Sequence, residues 1–281
     1  MSYSPTIRRR RLSLALRQFR QKAGLLAEEV ARRLEWTPSK VTRIERNEWK
    51  LPSVRDVRDL LDVYGVTDQA KRDAMITLAR EARQRGWWEE YKDVLGGSLP
   101  EWEAEAAKIH TFEALLIPGL LQTDHYAAAV FRGGQVVSED MIDRRVEARL
   151  TRQQILDREN PPSLWAVIDE AALAKHVGGI DVMRRQIHHI VEMAARPNIA
   201  VQVVPNDVGA HAAMANSFTI LQFAAPEDPT LVYVETITGD VYLEMPEQVA
   251  NYTLAYDHVR ASALSPDASV AYLGDLAEQL K

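Results

Sequence analysis

The sequence predicts an α+β chain of two domains: five short helices at the N-terminus, followed by an α+β domain with a sheet of five or six strands. Three observations carry this. First, the 281 residues suffice for two domains, and 46% hydrophobic with 26% charged residues is the balance of a chain that buries a core. Second, apolar residues recur at helical spacing through the first 84 residues, then alternate with β-rich runs beyond residue 98. Third, charge divides in the same place: residues 1–66 hold 15 Lys/Arg against 8 Asp/Glu, and the remainder holds 19 against 32. A basic end on a chain of net charge −6 is the asymmetry expected when one domain meets a polyanion and the other does not. The expected boundaries are 1–84 for the first domain, 85–98 for a linker and 99–281 for the second.

Composition also excludes several classes. With no cysteine, the chain has no disulfide, thiolate metal site or cysteine nucleophile. No apolar run approaches the roughly 18 residues that span a membrane, and Arg8 to Arg11 have no apolar run behind them to make a secretory signal. A cytoplasmic protein without a membrane partner, associated with the nucleoid when bound to DNA, is the expectation.

Residues 1–7 read as a loose arm. Leu12, Ala15, Leu16, Phe19 and Ala23 then give a first amphipathic helix, closed by Gly24. Arg8, Arg9, Arg10 and Arg11 stand at its start, where four cations oppose the helix dipole. A nearby polyanion would relieve this; the alternative is a solvated basic tail. Leu26, Val30, Ala31 and Leu34 make the apolar face of a second helix, with Glu28 and Glu29 in its first turn. A tight turn at Glu35-Trp36 leads to a third helix, from Pro38 to about Arg46, with Thr37 placed to cap it. Val41 and Ile44 point inward. Ser39, Lys40, Thr42, Arg43 and Arg46 stay outside, and such hydroxyl and cationic side chains reach base edges and phosphates in a major groove. This is the layout of a helix-turn-helix. Asn47 to Lys50 form a loop, and Pro52-Ser53 starts a fourth helix with Val54, Val57, Leu60, Leu61 and Tyr64 buried and Gly65 at its end. A fifth runs from Asp68 to Gln84, with Ala70, Ala74, Leu78 and Ala82 inward.

The ordered residues Leu25, Glu28-Glu29-Val30-Ala31, Leu34, Ser39, Val41, Arg43-Ile44-Glu45 and Pro52 resemble the Cro/repressor class (XRE family) of helix-turn-helix regulators. Two positions depart from it. Ala27 stands where the class often has a Gln that touches the DNA backbone. Glu35 stands where a Gly usually makes the turn, which would place a non-Gly residue at φ > 0 at some cost. The resemblance implies a repressor-like domain on double-stranded DNA. Ser39, Lys40 and Arg43 are then expected at bases, and Thr37, Thr42, Arg46, Asn47 and Lys50 at phosphate or sugar. Arg8, Arg9, Arg10 and Arg11 would reach a neighbouring groove as an arm. One such domain buries too little surface for a biological affinity, so a homodimer is expected, its reading helices roughly 34 Å apart.

Beyond the linker, where one of Trp87 and Trp88 is expected to pack against the following domain, the pattern changes. Strands are expected at 109–117, 164–168, 199–204, 217–223, 231–237 and 241–243, the last two joined by the Thr238-Gly239-Asp240 turn. Helices are expected at 124–131 and from a Ser138 cap to about Glu159, the latter with Ile142, Val146 and Leu150 inward and Arg144, Arg145, Arg149 and Arg152 outward. Another follows an Asp181 cap, and two end the chain, marked by the apolar stripes Val249, Tyr252, Tyr256, Val259, Ala263 and Val270, Leu273, Leu276, Leu280.

The runs Arg85-Gly86-Trp87-Trp88, Ile117 to Thr123, Leu164 to Leu173, Val201 to Pro205 and Val232 to Thr236 are similar, in this order, to a large group of actinomycete transcription regulators. In that group a Cro/repressor-class domain precedes a C-terminal domain described as Scr-family and antitoxin-like. The resemblance implies a regulator paired with a small protein encoded nearby. A small-molecule effector near the Ile117–Thr123 or Asn206–His211 loop is the alternative signal.

Asp169, Glu170, His211, Glu235 and Asp240 are the candidates for acid–base or metal chemistry. No HExxH, GxSxG, phosphate-loop or GxGxxG motif stands in the right context, and His188-His189, adjacent on a helix, cannot chelate together. Asp169-Glu170 reads equally as the first turn of a helix. No catalytic, metal or cofactor role is expected. Two readings stand: a sequence-specific DNA-binding regulator whose second domain receives a signal, or an antitoxin-like interaction module that binds DNA for autoregulation.

Overall fold

The computed structural model describes residues 5–49, 51–84, 86–134, 138–225 and 228–280, which divide into two compact units whose boundary in sequence lies between Glu89 and Glu90. That boundary falls inside the stretch read as linker, where Trp87–Glu89 forms a single 3-10 turn and Trp88 is buried.

The first unit has five helices: α1 (Pro5–Lys22), α2 (Ala27–Arg33), α3 (Pro38–Glu45), α4 (Val54–Val63) and α5 (Gln69–Glu81). Leu12, Leu16, Val30, Ala31, Val41, Ile44, Val57, Leu60 and Leu61 meet in one core. Four of the five helices end alike. The second residue past the end takes a left-handed conformation, at Gly24 (φ 69°), Glu35 (φ 56°), Asn47 (φ 59°) and Gly65 (φ 69°). The N–H after it then reaches back to a carbonyl in the last turn: Leu25 to Arg20, Trp36 to Ala31, Glu48 to Arg43 and Val66 to Leu61, at 2.8–3.2 Å. This closure satisfies carbonyls that a helix end leaves bare. Glycine adopts it freely and Asn tolerates it, whereas Glu35 pays the cost that its position in the turn predicted.

Three expectations fail here. Residues 5–7 are not a loose arm: α1 begins at Pro5, which has no N–H to leave unpaired, and Ile7 is buried. Arg8 is buried too and pairs with Glu81 on α5. The inner face of α5 carries Ile76, Ala79 and Ala82, while Ala70 and Ala74 are exposed, because burying Ile76 removes more apolar area than burying an alanine.

The second unit contains α6 (Leu99–Glu103), β1 (Ala106–Glu113), α7 (Asp124–Gly134), α8 (Glu139–Gln153), β2 (Ser163–Asp169), α9 (Glu170–Leu173), α10 (Ile180–Ala194), β3 (Ile199–Val204), β4 (Phe218–Phe223), β5 (Leu231–Thr236), β6 (Gly239–Leu243), α11 (Pro246–Ser262) and α12 (Pro266–Gln279). Its six-stranded sheet has the order β3-β2-β1-β4-β5-β6. β1, β2 and β3 are parallel, and β4, β5 and β6 add antiparallel at the other side of β1. Strand alternation gives the sheet two unlike faces. One is apolar: Phe112, Val167, Phe218, Ile220 and Val232 pack with Tyr256 and Val259 of α11. The other turns Thr111, Thr219 and Tyr233 into a cavity beneath α8.

β1 leaves the ladder at Glu113, earlier than expected, because the Ser217 hydroxyl takes the Ala114 N–H and the Tyr126 hydroxyl takes that of Ile117. α8 stops at Gln153 and passes into a 3-10 turn, Gln154–Leu156. Gly179, not Asp181, precedes α10, and Asp181 sits in its first turn. The outward and inward faces of α8 are also not as expected. Leu150 is 39% exposed, whereas Arg145, Arg149 and Arg152 line the cavity; Arg144 stays outside, paired with Asp93 at 2.6 Å. Of the stripes on α11 and α12, Tyr256, Val259 and Leu273 are buried and the other members are half-buried. Among the described residues no helix is long and apolar enough to cross a membrane.

Candidate nucleic-acid interface

α2 and α3 form the helix-turn-helix. Val30 and Ala31 of α2 face Val41 and Ile44 of α3, and the turn at Glu35 sets the angle between them. Thr37 occupies the position before α3, but its hydroxyl takes no backbone N–H; it lies 3.2 Å from the Ser39 hydroxyl instead. Pro38 at the first helical position removes one donor that would otherwise need a cap.

The outer face of α3 presents Thr37, Ser39, Arg43 and Arg46, all exposed. Arg43 and Arg46 make no side-chain hydrogen bond or ion pair among the described residues, so both guanidinium groups are available to a ligand. Thr42 is half-buried and returns its hydroxyl to the Pro38 carbonyl at 3.4 Å. Lys40 is held more firmly than expected: its ammonium lies 2.9 Å from Asp56 and 3.6 Å from the centre of the Trp36 ring. To reach a ligand it must leave both, whereas Arg43 has no such partner among the described residues. Asn47 is half-buried and accepts a hydrogen bond from Arg9 at 3.0 Å. This joins two expected backbone contacts, one on α1 and one after α3. Arg10 and Arg11 are half-exposed on α1; Arg8, committed to Glu81, is withdrawn from the set. Lys50 lies outside the described residues.

What holds α3 in place is a buried carboxylate. Glu45 at its last turn accepts both arms of the Arg20 guanidinium at 2.7 Å, and the Tyr64 hydroxyl at 3.2 Å. Arg20 also binds the Leu25 carbonyl at 2.7 Å. α1, α3, α4 and the entry to α2 are thus tied at one point. Burial, with Glu45 alongside, pushes the Tyr64 hydroxyl far above its ordinary range; the bond to Glu45 raises Arg20 in turn. Trp49, buried after α3, donates its indole N–H to Ser13 at 3.0 Å and fixes the other end. Glu45 was detectable in principle, because it falls four residues after Val41 on the face that is otherwise apolar.

In the second unit the candidate acids and histidine separate. Asp169 and His211 meet at 3.2 Å, but Asp169 also caps α9 through the Ala171 N–H at 2.8 Å. The His211 Nδ1 accepts the Ala213 N–H at 3.3 Å, which fixes Nε2 as the donor to Asp169. Both ring nitrogens are then occupied within the fold. Glu170 binds the Asn206 N–H at 2.6 Å, and Glu235 and Asp240 lie elsewhere, at the cavity beneath α8. Among the described residues no group of three or more His, Asp or Glu is arranged to hold a metal. Both loops named as effector candidates border cavities: about 630 Å³ beside Ile117–Leu120 and Gln122, and about 400 Å³ beside Asn206, Gly209 and His211.

Residues 11–75 match the family described as a helix-turn-helix domain, and residues 97–275 match the one described as a domain of unknown function (DUF5753). No curated protein and no solved structure matches the chain.

Proposed function

The chain belongs to the DUF5753 family, and we propose that it is a sequence-specific transcriptional regulator whose second unit receives the signal. The helix-turn-helix makes it a DNA-binding protein of regulator type. The finer reading rests on one observation: Arg43 and Arg46 stand exposed and uncommitted on α3, while Glu45 of the same turn is locked into the core. That arrangement holds two cations rigidly toward a groove, with Arg43 suited to the O6 and N7 of guanine. Ser39 and Lys40 complete the base-facing set; Thr37, Thr42, Arg46, Asn47, Arg9, Arg10 and Arg11 supply the phosphate-facing one. The protein acts as a homodimer on a two-part site, and a signal at the second unit alters the spacing of its reading helices. Footprinting on the fragment upstream of its own gene tests this. A protected two-part site with half-sites one helical turn apart is the expected result, and uniform protection regardless of sequence is the contrary one.

A second reading has the second unit as an antitoxin-like module for a small protein encoded nearby. It draws on the sheet edge at β6, where Val241 and the flanking Ile237 and Met245 are exposed. An added strand uses such an edge. Co-purification with the neighbour, lost when Val241 is replaced by Lys, supports that reading.

A further inference from the structure

The cavity of about 630 Å³ in the second unit lies between α8, the 116–122 loop and the polar face of the sheet, and its size is that of a small-molecule site. Its walls carry charged side chains of both signs. On α8, Arg152 is committed: it makes a two-pronged pair with Glu103, whose side chain is 2% exposed. Arg149 is not. Its guanidinium stacks 4.6 Å from the centre of the Phe131 ring and gives one N–H to Gln122. Among the described residues no carboxylate lies within 4.0 Å of it. Burial, then the neighbouring Arg152, lowers it to about 10. Glu113, at the end of β1, lines the same cavity. It bonds to Ser217 and likewise has no cation within 4.0 Å among the described residues. Burial pushes it up to about 7, with Glu235 adding to the rise.

Arg149 and Glu113 feel each other's field but are too far apart to pair. Both are half-buried, and a cation or carboxylate partly withdrawn from water costs free energy unless an opposite charge reaches it. A ligand with a charge at each end satisfies both at once. Ile109 and Leu116, which line the same cavity, suit an aliphatic middle. We propose that this cavity binds a small amino-acid-type zwitterion, its carboxylate on Arg149 and its protonated amine on Glu113. The site deepens the reading of the second unit as the signal-receiving part. It depends on that reading only for its regulatory consequence, and because binding is measured without DNA, the two can fail separately.

The test is calorimetry of the full-length protein at neutral pH with ω-amino acids of four, six and eight carbons, each against the carboxylic acid and the amine of the same length. The expected result is one-to-one binding of at least one amino acid, roughly tenfold or more tighter than either matched partner, since each 1.4 kcal/mol is a factor of ten. Glu113→Gln, nearly the same shape, should erase the preference over the plain acid. Arg149→Gln should erase the preference over the amine; if it does not fold, Glu113→Gln decides alone. No saturable binding by any probe, a plain acid that binds as tightly as the amino acid, or a preference unchanged in folded Glu113→Gln overturns the proposal.

Discussion

The two units place their arginines in opposite ways. On α3 the arginines stand outside an apolar helix face, and one carboxylate, Glu45, is the charge that goes in. On α8 the arginines Arg145, Arg149 and Arg152 go in, and Leu150 is left out. The difference lies in what each helix covers. α3 covers Val30, Val57 and Leu60, which offer nothing to a cation; α8 covers a sheet face of Thr111, Thr219 and Tyr233 with Glu103 and Glu113 beside it. Apolar periodicity identifies the buried face only where the surface beneath is itself apolar.

Three substitutions break or sharpen this contrast. The largest effect belongs to Glu45→Ala, which takes the acceptor from the Tyr64 hydroxyl and from the Nε and Nη2 of Arg20, leaving that guanidinium only the Leu25 carbonyl. Losing one partner of a buried pair costs about 3–5 kcal/mol. Urea unfolding should show that loss, together with a loss of DNA binding; a stability change below about 1 kcal/mol would reduce the hub to an ordinary surface pair.

Next in size is Glu113→Gln. The carboxyl titrates at about 7 in the fold against 4.5 ordinarily, so the folded chain holds a proton that the unfolded chain has released. Stability from this group is therefore present below about pH 4.5 and is lost as pH rises to about 7. Glu235 adds to the rise, and Arg152 and Arg149 oppose it. The amide variant should gain roughly 1–3 kcal/mol above pH 7 relative to the parent and flatten the pH profile of the melting temperature. Parallel profiles for the two proteins would show that Glu113 is solvated. The smallest effect is Glu35→Gly, which removes a left-handed non-glycine residue and should stabilise by about 0.5–1 kcal/mol; a loss of stability would mean the Glu35 side chain contributes more than its backbone costs.

The same contrast explains what was legible in the sequence. The five helices, the turn at Glu35 and the outer face of α3 follow from spacing, because apolar and polar positions there do not mix. The polar sheet face was not legible, since Thr111 and Tyr233 sit in runs that read as ordinary strand. Arg8 was misread because four adjacent arginines look alike in sequence, and only α5 distinguishes the one that meets Glu81. The alanines of α5 misled for a similar reason: alanine is neutral about burial, so the frame is decided by Ile76.

The central claim is that α3 reads bases through Arg43 on a frame fixed from behind. Fluorescence anisotropy of the full-length protein on the fragment upstream of its own gene and on a scrambled fragment, at several salt concentrations, tests it most directly. Arg43→Ala should lose roughly 1–3 kcal/mol on the cognate fragment, lose little on the scrambled one, and leave the salt slope nearly unchanged, whereas Arg46→Ala should weaken both fragments alike and reduce the slope by about one. Equal losses on the two fragments for Arg43→Ala, or an unchanged preference, would contradict the assignment of α3 as the reading helix.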